Sequence, residues 1–251
     1  RRQRQMCIRD RATPVQAIYQ YYNRAPFVII GRKDRGITTD FASLQGKKVA
    51  AAAVESTRRC WTMVARQLGT PQDLFQWVTT DFSARDNVVV RGDVDAATYF
   101  HDSAVSLFAR LPQQDLSVLE YAKTGLNLYG NAVLASSRLI AEKPAALRGF
   151  LAASNRALKE TLADPEPALA AIKAREGILN LDVERARWAI TRQYLATAEN
   201  RELGLGALRP DILQHQIDEV AAVFGLNSKP TVGQVFHSGL LPAAAQRQVN
   251  A

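Results

Sequence analysis

Five consecutive polar residues, Glu55-Ser56-Thr57-Arg58-Arg59, interrupt the stretch KKVAAAAVESTRRCWTMVARQLG (47–69), where an apolar run hands over to an amphipathic one. A helix that starts here offers free backbone N–H groups and the positive end of its dipole. Ser56 and Thr57 can cap such a helix and also donate hydroxyls to a bound group. Arg58 adds a two-pronged donor for a carboxylate, sulfonate, phosphate or ring acceptor. In open α/β sheets this junction lies at the carboxyl end of a strand, where ligands bind. The residues read equally as structure, with Ser56 an N-cap and both arginines solvated, and spacing alone leaves both readings open. Glu55 weighs against an anion, because a carboxylate beside the site repels one; a neutral or weakly basic heterocycle fits the mixture better.

Other reactive residue types are scattered. His101, His215 and His237 stand at no metal-ligand spacing with another His, Cys or carboxylate, so no metal site is expected. GLGAL (204–208) matches neither the dinucleotide nor the phosphate-loop pattern, no serine lies in a G-x-S-x-G elbow, and no cofactor is expected. Cys60 with His101 could in principle form a nucleophilic dyad, but a lone cysteine near a helix start reads as packing.

The elements that must position these residues alternate as in an α/β protein. Strands are expected at PFVIIGR (26–32), KKVAAAAV (47–54), FQWVTT (75–80), DAATYF (95–100), SVLEY (117–121) and LYGNAVLAS (128–136). Helices between them favour parallel pairing. One helix carries Trp61, Val64, Ala65 and Leu68 on its apolar stripe and stops at Gly69; Asp81 is a candidate N-cap for the next, which Gly92 closes. In GDVDA (92–96) the aspartates read as turn caps. After about residue 137 the pattern turns helical: a helix from Pro144 to Asp164 with Leu147, Leu151, Ser154, Leu158 and Leu162 on one face, then 166–175, 182–198 and 210–224.

With 47% hydrophobic and 22% charged residues in 251, the composition is that of an ordinary soluble globular chain able to bury a large core. No uninterrupted apolar run approaches the about 18 residues that span a bilayer, and no secretory leader is visible. RRQRQMCIRDR (1–11) has five arginines against one aspartate and no periodicity. MCIRDR also reads as the translation of a transposon-end sequencing adapter, so this tail is expected to be an assembly remnant or a disordered basic extension. Without it the formal charge of +8 becomes about +4, which calls for no nucleic acid or other polyanion. Cys7 goes with the tail, leaving Cys60 alone and no internal disulfide.

SLQGKKVA with its polar turn, then VVVRGDVDAATYF, then YGNAVLASSRLIAEKPAALRGFLAASNRALKETLADPEPALAAI, together resemble the periplasmic substrate-binding proteins of ABC importers, in the group that takes nitrate, sulfonate, taurine and thiamine pyrimidine precursors. AIYQYYNRAPFVIIGRKDRGI and GLNLYGNAVLAS are similar to the thiamine-precursor branch. The resemblance is spread over residues 14 to about 245 and rests on the order of weak motifs.

It implies a two-lobed type II periplasmic-binding-protein fold with two crossover strands, near 34–40 and 122–130, closing on a small molecule in the cleft. Lobe one would comprise 12–37 and 126–251, with its first part missing, and lobe two 38–125. The implied function is capture of a small organic nutrient, a thiamine pyrimidine precursor or related heterocycle or possibly a sulfonate, for an ABC permease and its ATPase. It further implies a periplasmic monomer that reaches the membrane only through the permease or a lost anchor. Carried over by position, the ligand-facing residues are Tyr22 and Asn23, whose ring and amide suit a flat heterocycle; Ser56, Thr57 and Arg58; Tyr99 and Phe100, of which alternation lets only one face the ligand; and Tyr129 and Asn131. The family has glycine where this chain has the alanines and Glu55, a departure that bears on which ligand fits. The alternatives are an enzyme on the same fold, such as a pyrimidine synthase of thiamine biosynthesis, whose cysteine-rich motif this chain lacks, or the input module of a sensor.

Overall fold

The computed structural model describes residues 14–249; the N-terminal tail and Cys7 lie outside the described residues. In chain order the strands are β1 (Val15–Gln20), β2 (Phe27–Arg32), β3 (Lys48–Ala51), β4 (Gln76–Thr79), β5 (Ala96–Phe100), β6 (Leu116–Glu120) and β7 (Ala132–Ser136). The helices are α1 (Ser56–Leu68), α2 (Arg85–Arg91), α3 (Val105–Phe108), α4 (Ser137–Glu142), α5 (Pro144–Ala163), α6 (Glu166–Arg175), α7 (Leu181–Leu195), α8 (Ala198–Leu203), α9 (Pro210–Phe224), α10 (Val232–Val235) and α11 (Ala244–Arg247). No helix among the described residues is long and apolar enough to cross a membrane.

The described residues divide into two compact units, one of residues 14–23, 129–164 and 195–249, the other of residues 24–128 and 165–194. The first boundary falls at Asn23–Arg24, ahead of the expected 37–38, because β2 is bonded on both edges inside the second unit.

That unit is built on a five-stranded sheet of order β4-β3-β5-β2-β6. β3 runs parallel to β4 and β5, as expected for strands joined through helices. β2 is antiparallel to both β5 and β6, against the parallel pairing that helical connections favour: the chain enters β2 directly from the other unit. As a central strand β2 buries Phe27 to Gly31, and Val28 and Ile30 pack with Val89, Leu107 and Leu116. The carboxyl ends of β3, β4, β5 and β6 and the start of β2 share one edge of this sheet.

α1 begins at Ser56, buries Thr57, Trp61, Met63, Val64 and Ala65, and ends in the left-handed Gly69 (φ 64°). Its buried stripe runs back to Thr57, four residues before Trp61, instead of forward to the exposed Leu68. β3 stops at Ala51, short of the expected 54, and β7 starts only at Ala132, since Leu128 to Asn131 bond with the Tyr21–Ala25 segment and not as a ladder. Asp81 does not cap α2: Ala84 precedes that helix, and Asp81 accepts the Ala84 N–H in the turn before it.

The first unit holds the antiparallel pair β1–β7 with α4, α5 and α8 to α11, whereas α6 and nearly all of α7 belong to the second unit. Pro144 opens α5 as expected, and Leu147, Leu151 and Leu162 are buried along it. The helix expected over 182–198 breaks after Leu195, where the Thr197 hydroxyl accepts from the Asn200 N–H and starts α8. α9 buries Leu213, Ile217 and Ala221, with the polar Gln216 among them.

Candidate functional site

The polar junction after β3 is an uncapped helix start. Glu55 occupies the N-cap position with extended backbone (φ −76°, ψ 150°), yet its side chain caps nothing. It turns instead into the second unit, where Oε2 accepts the Ala52 N–H at 3.0 Å and Arg85 Nη1 at 3.2 Å, and both side chains of this ion pair are nearly fully buried. Tyr99 stands behind the pair: the Arg85 guanidinium lies 4.3 Å from the centre of its ring, and its hydroxyl donates to Asp86 Oδ1 at 2.8 Å. Two readings are thereby corrected. Ser56 and Thr57 are not the cap, and Glu55 is not a free carboxylate repelling an anion, because Arg85 neutralises it.

What remains at the first turn of α1 is an exposed Ser56, the Thr57 hydroxyl, which is buried without a hydrogen-bond partner, and Arg58. Arg58 Nη1 donates to Thr79 Oγ1 at 3.0 Å and its guanidinium lies 5.2 Å from the Trp77 ring centre. The guanidinium is thus oriented along β4 with donors to spare. Tyr121, buried between Phe27 and Trp61, donates its hydroxyl to the Thr57 carbonyl at 3.1 Å and fixes this turn against the sheet.

At the end of β5, Tyr99 belongs to the core and Phe100 is half-buried, 5.2 Å from Phe27 between ring centres. Next to it, His101 Nδ1 lies 3.0 Å from the Tyr194 hydroxyl. Burial holds the His101 imidazole below its ordinary value; the carboxylates of Glu120 and Asp102 pull the other way and Lys123 adds to the depression. The unfolded chain therefore binds this proton more readily than the folded one. The stability His101 contributes is present above about pH 6.5 and is lost as the pH falls through its lowered value. His101→Asn is expected to flatten the fall in melting temperature on acidification below about pH 6.5; an unchanged slope would assign that fall to other groups.

The first unit gathers the other four expected residues. Asn131 presents its carbonyl to the amides of Tyr21 (3.0 Å) and Tyr22 (3.1 Å) and to Gln20 Nε2 (3.2 Å), while Gly130 N–H bonds the Tyr22 carbonyl at 2.8 Å. Tyr22 and Asn23 are buried, Tyr129 is half-buried and the Asn131 side chain is exposed. Tyr129 donates its hydroxyl to Glu199 Oε1 at 2.6 Å and accepts the Arg209 N–H at 2.8 Å. Burial, then the Glu199 bond, push its phenol pKa well up. Asn23 Nδ2 reaches the same Glu199 oxygen at 3.2 Å and the Ala207 carbonyl at 3.1 Å. Glu199, Gln216 and Arg85 carried no local signal: each lies far along the chain from the group it serves.

A profile of NMT1/THI5-like proteins matches residues 2–168, well over half of the chain. The chain belongs to the NMT1/THI5-like family. No curated protein sequence matches it. Among solved structures, the periplasmic aliphatic sulphonate binding protein SsuA from Escherichia coli is similar at 18% identity over 92% of this chain and 71% of that one, with a TM-score of 0.69. The ligand binding component of an ABC-type import system from Staphylococcus aureus is similar at 12% identity over 96% and 78%, TM-score 0.67. The desulfurization enzyme DSZB is similar at 13% identity over 94% and 80%, TM-score 0.56. The fold of this NMT1/THI5-like chain is that of the periplasmic binding proteins.

Proposed function

We propose that the protein is the solute-binding component of an ABC importer, working in the periplasm and delivering a small organic nutrient to a permease with its ATPase. The family, the fold and the import and sulfonate-binding roles of similar structures support this reading. The observation that carries it to a ligand is the start of α1. Its N-cap carboxylate is paired away with Arg85, so the amides of the first turn, the Ser56 hydroxyl and the Arg58 guanidinium form an unopposed donor set. Such a set suits an anionic head group, a sulfonate first. A thiamine pyrimidine precursor is the second reading, favoured by the acceptors around Tyr129.

No covalent step is proposed. Burial pushes the Cys60 thiol up to about 11, so near neutral pH it is the protonated, weakly nucleophilic form. Calorimetric titration with ethanesulfonate is expected to give one-to-one binding. Arg58→Ala should weaken it about tenfold or more, and unchanged affinity would remove Arg58 from the site. Mass spectrometry of the recovered ligand separates carrier from enzyme, since a carrier returns it unaltered and turnover would sink the assignment.

A further inference from the structure

The first unit leaves one strand edge uncovered. Its sheet is the pair β1 and β7. The outer edge of β1 is taken, because the Ala17 carbonyl accepts the His237 N–H at 2.8 Å and the Gln20 N–H donates to the Gly206 carbonyl at 2.9 Å. Among the described residues the outer edge of β7 has no such cover. The Ser137 N–H bonds the Pro14 carbonyl at 2.7 Å, which fixes the phase of the ladder. Antiparallel strands direct alternate residues to opposite sides, so Val133 and Ala135 bond β1 while Ala132, Leu134 and Ser136 turn their N–H groups outward. No group among the described residues bonds the outward N–H or carbonyl of Leu134.

Folded proteins blunt a free edge with charge, proline or a bulge. The AVLAS of β7 has no charged residue and no proline, and the irregularity of the pair lies on β1, between Ala17 and Tyr19. At the centre of the edge stands Leu134, 63% exposed. A two-stranded ribbon is marginal by itself, and additional strands stabilise it. The outward groups sit at the first, third and last residues of β7, so they match themselves across a two-fold axis through Leu134. In that register Leu134 exchanges both its backbone bonds with the partner's Leu134, and the Ser136 N–H meets the partner's Ala132 carbonyl. The two leucine side chains then lie side by side on one face, and no charge in either strand opposes another.

We propose that β7 pairs antiparallel with β7 of a second copy of this chain, joining the two ribbons into one sheet of order β1-β7-β7-β1. A weak, concentration-dependent dimer thereby replaces the expected monomer. The contact uses the first unit alone and is independent of the solute-binding reading above.

Sedimentation velocity of the full chain tests this. The wild type is expected to dimerise with a Kd of about 10 μM, as suits a small edge contact. Leu134→Lys sets two ammonium groups against each other at the axis and should weaken association about tenfold or more, whereas Leu134→Ile should keep it. Register is read separately by cross-linking in a Cys7→Ser background. There Leu134→Cys should give, on mild oxidation, a disulfide-linked dimer that reductant reverses, because the Cα atoms of a hydrogen-bonded antiparallel pair stand about 5.5 Å apart. Phe150→Cys, equally accessible on α5, should not cross-link. A wild type that stays monomeric at about 100 μM, or a dimer that Leu134→Lys leaves intact, overturns the inference. Should Leu134→Lys fail to fold, the cross-link decides: none at residue 134, or as much at residue 150, overturns it.

Discussion

Replacing Arg85 with methionine is expected to cost about 3–5 kcal/mol of folding stability, the penalty of leaving one member of a buried ion pair behind. Glu55 has a side chain only 5% exposed, and Arg85 Nη1 at 3.2 Å is the cation that makes its burial tolerable. The guanidinium is clamped between Tyr99 and Phe82, 4.3 and 5.2 Å from their ring centres, so no other basic side chain can simply swing in. The double variant Glu55→Gln with Arg85→Met removes both charges and should regain most of the loss. Urea unfolding of the two variants checks this; a single variant within about 1 kcal/mol of wild type would mean the pair contributes little. A ligand effect follows as well. With Arg85 gone, any Glu55 that stays ionised faces the first turn of α1 uncompensated, and ethanesulfonate should bind more weakly than to the double variant.

Gly206→Ala is expected to destabilise by about 2–4 kcal/mol, combining left-handed backbone strain with overpacking. Gly206 has φ +81°, and a Cβ there would stand 2.7 Å from Tyr19 Cζ and closer still to the ring edge. That ring cannot retreat, because Tyr19 is 1% exposed and its hydroxyl is bonded to Asn155 Oδ1 at 3.1 Å. Gly69→Ala is the control: φ is +64°, but nothing lies within 4 Å of the added carbon, so only the backbone cost of about 1–2 kcal/mol remains. If the two substitutions lower the unfolding midpoint equally, the close approach to Tyr19 is not what requires glycine at 206.

What could be read along the chain was local. The β-branched run of β2, the Pro144 start of α5 and the glycine stops after α1 and α9 are properties of neighbouring residues, and each appears where its chemistry places it. Strand direction was not legible in this way. β2 lies antiparallel to β5 and β6 because of where the chain enters the sheet, a fact of topology that no window of sequence contains. The VQAIYQ run of β1 went unassigned because it needs β7, over a hundred residues later, to become half of a ladder.

At the site, hydroxyls beside an arginine marked the start of α1, and the Tyr22–Asn23 and Tyr129–Asn131 pairs came together through backbone bonds. The charge state of that helix start was misjudged, because the cation that cancels Glu55 arrives from thirty residues away on another helix. Of the alternating pair Tyr99 and Phe100, Tyr99 is the one that faces the core, where its ring lies against the Arg85 guanidinium.

The joint between Tyr21, Tyr22 and Asn131 is made by the Asn131 carbonyl, while the Asn131 side chain points into open surroundings. Main-chain atoms are the same for nearly every amino acid. The joint is therefore indifferent to what residue 131 is, and mutation can explore that position without loosening the frame around Tyr22. In the solute-binding reading proposed above, a change of cargo over evolutionary time has at this residue a place to begin.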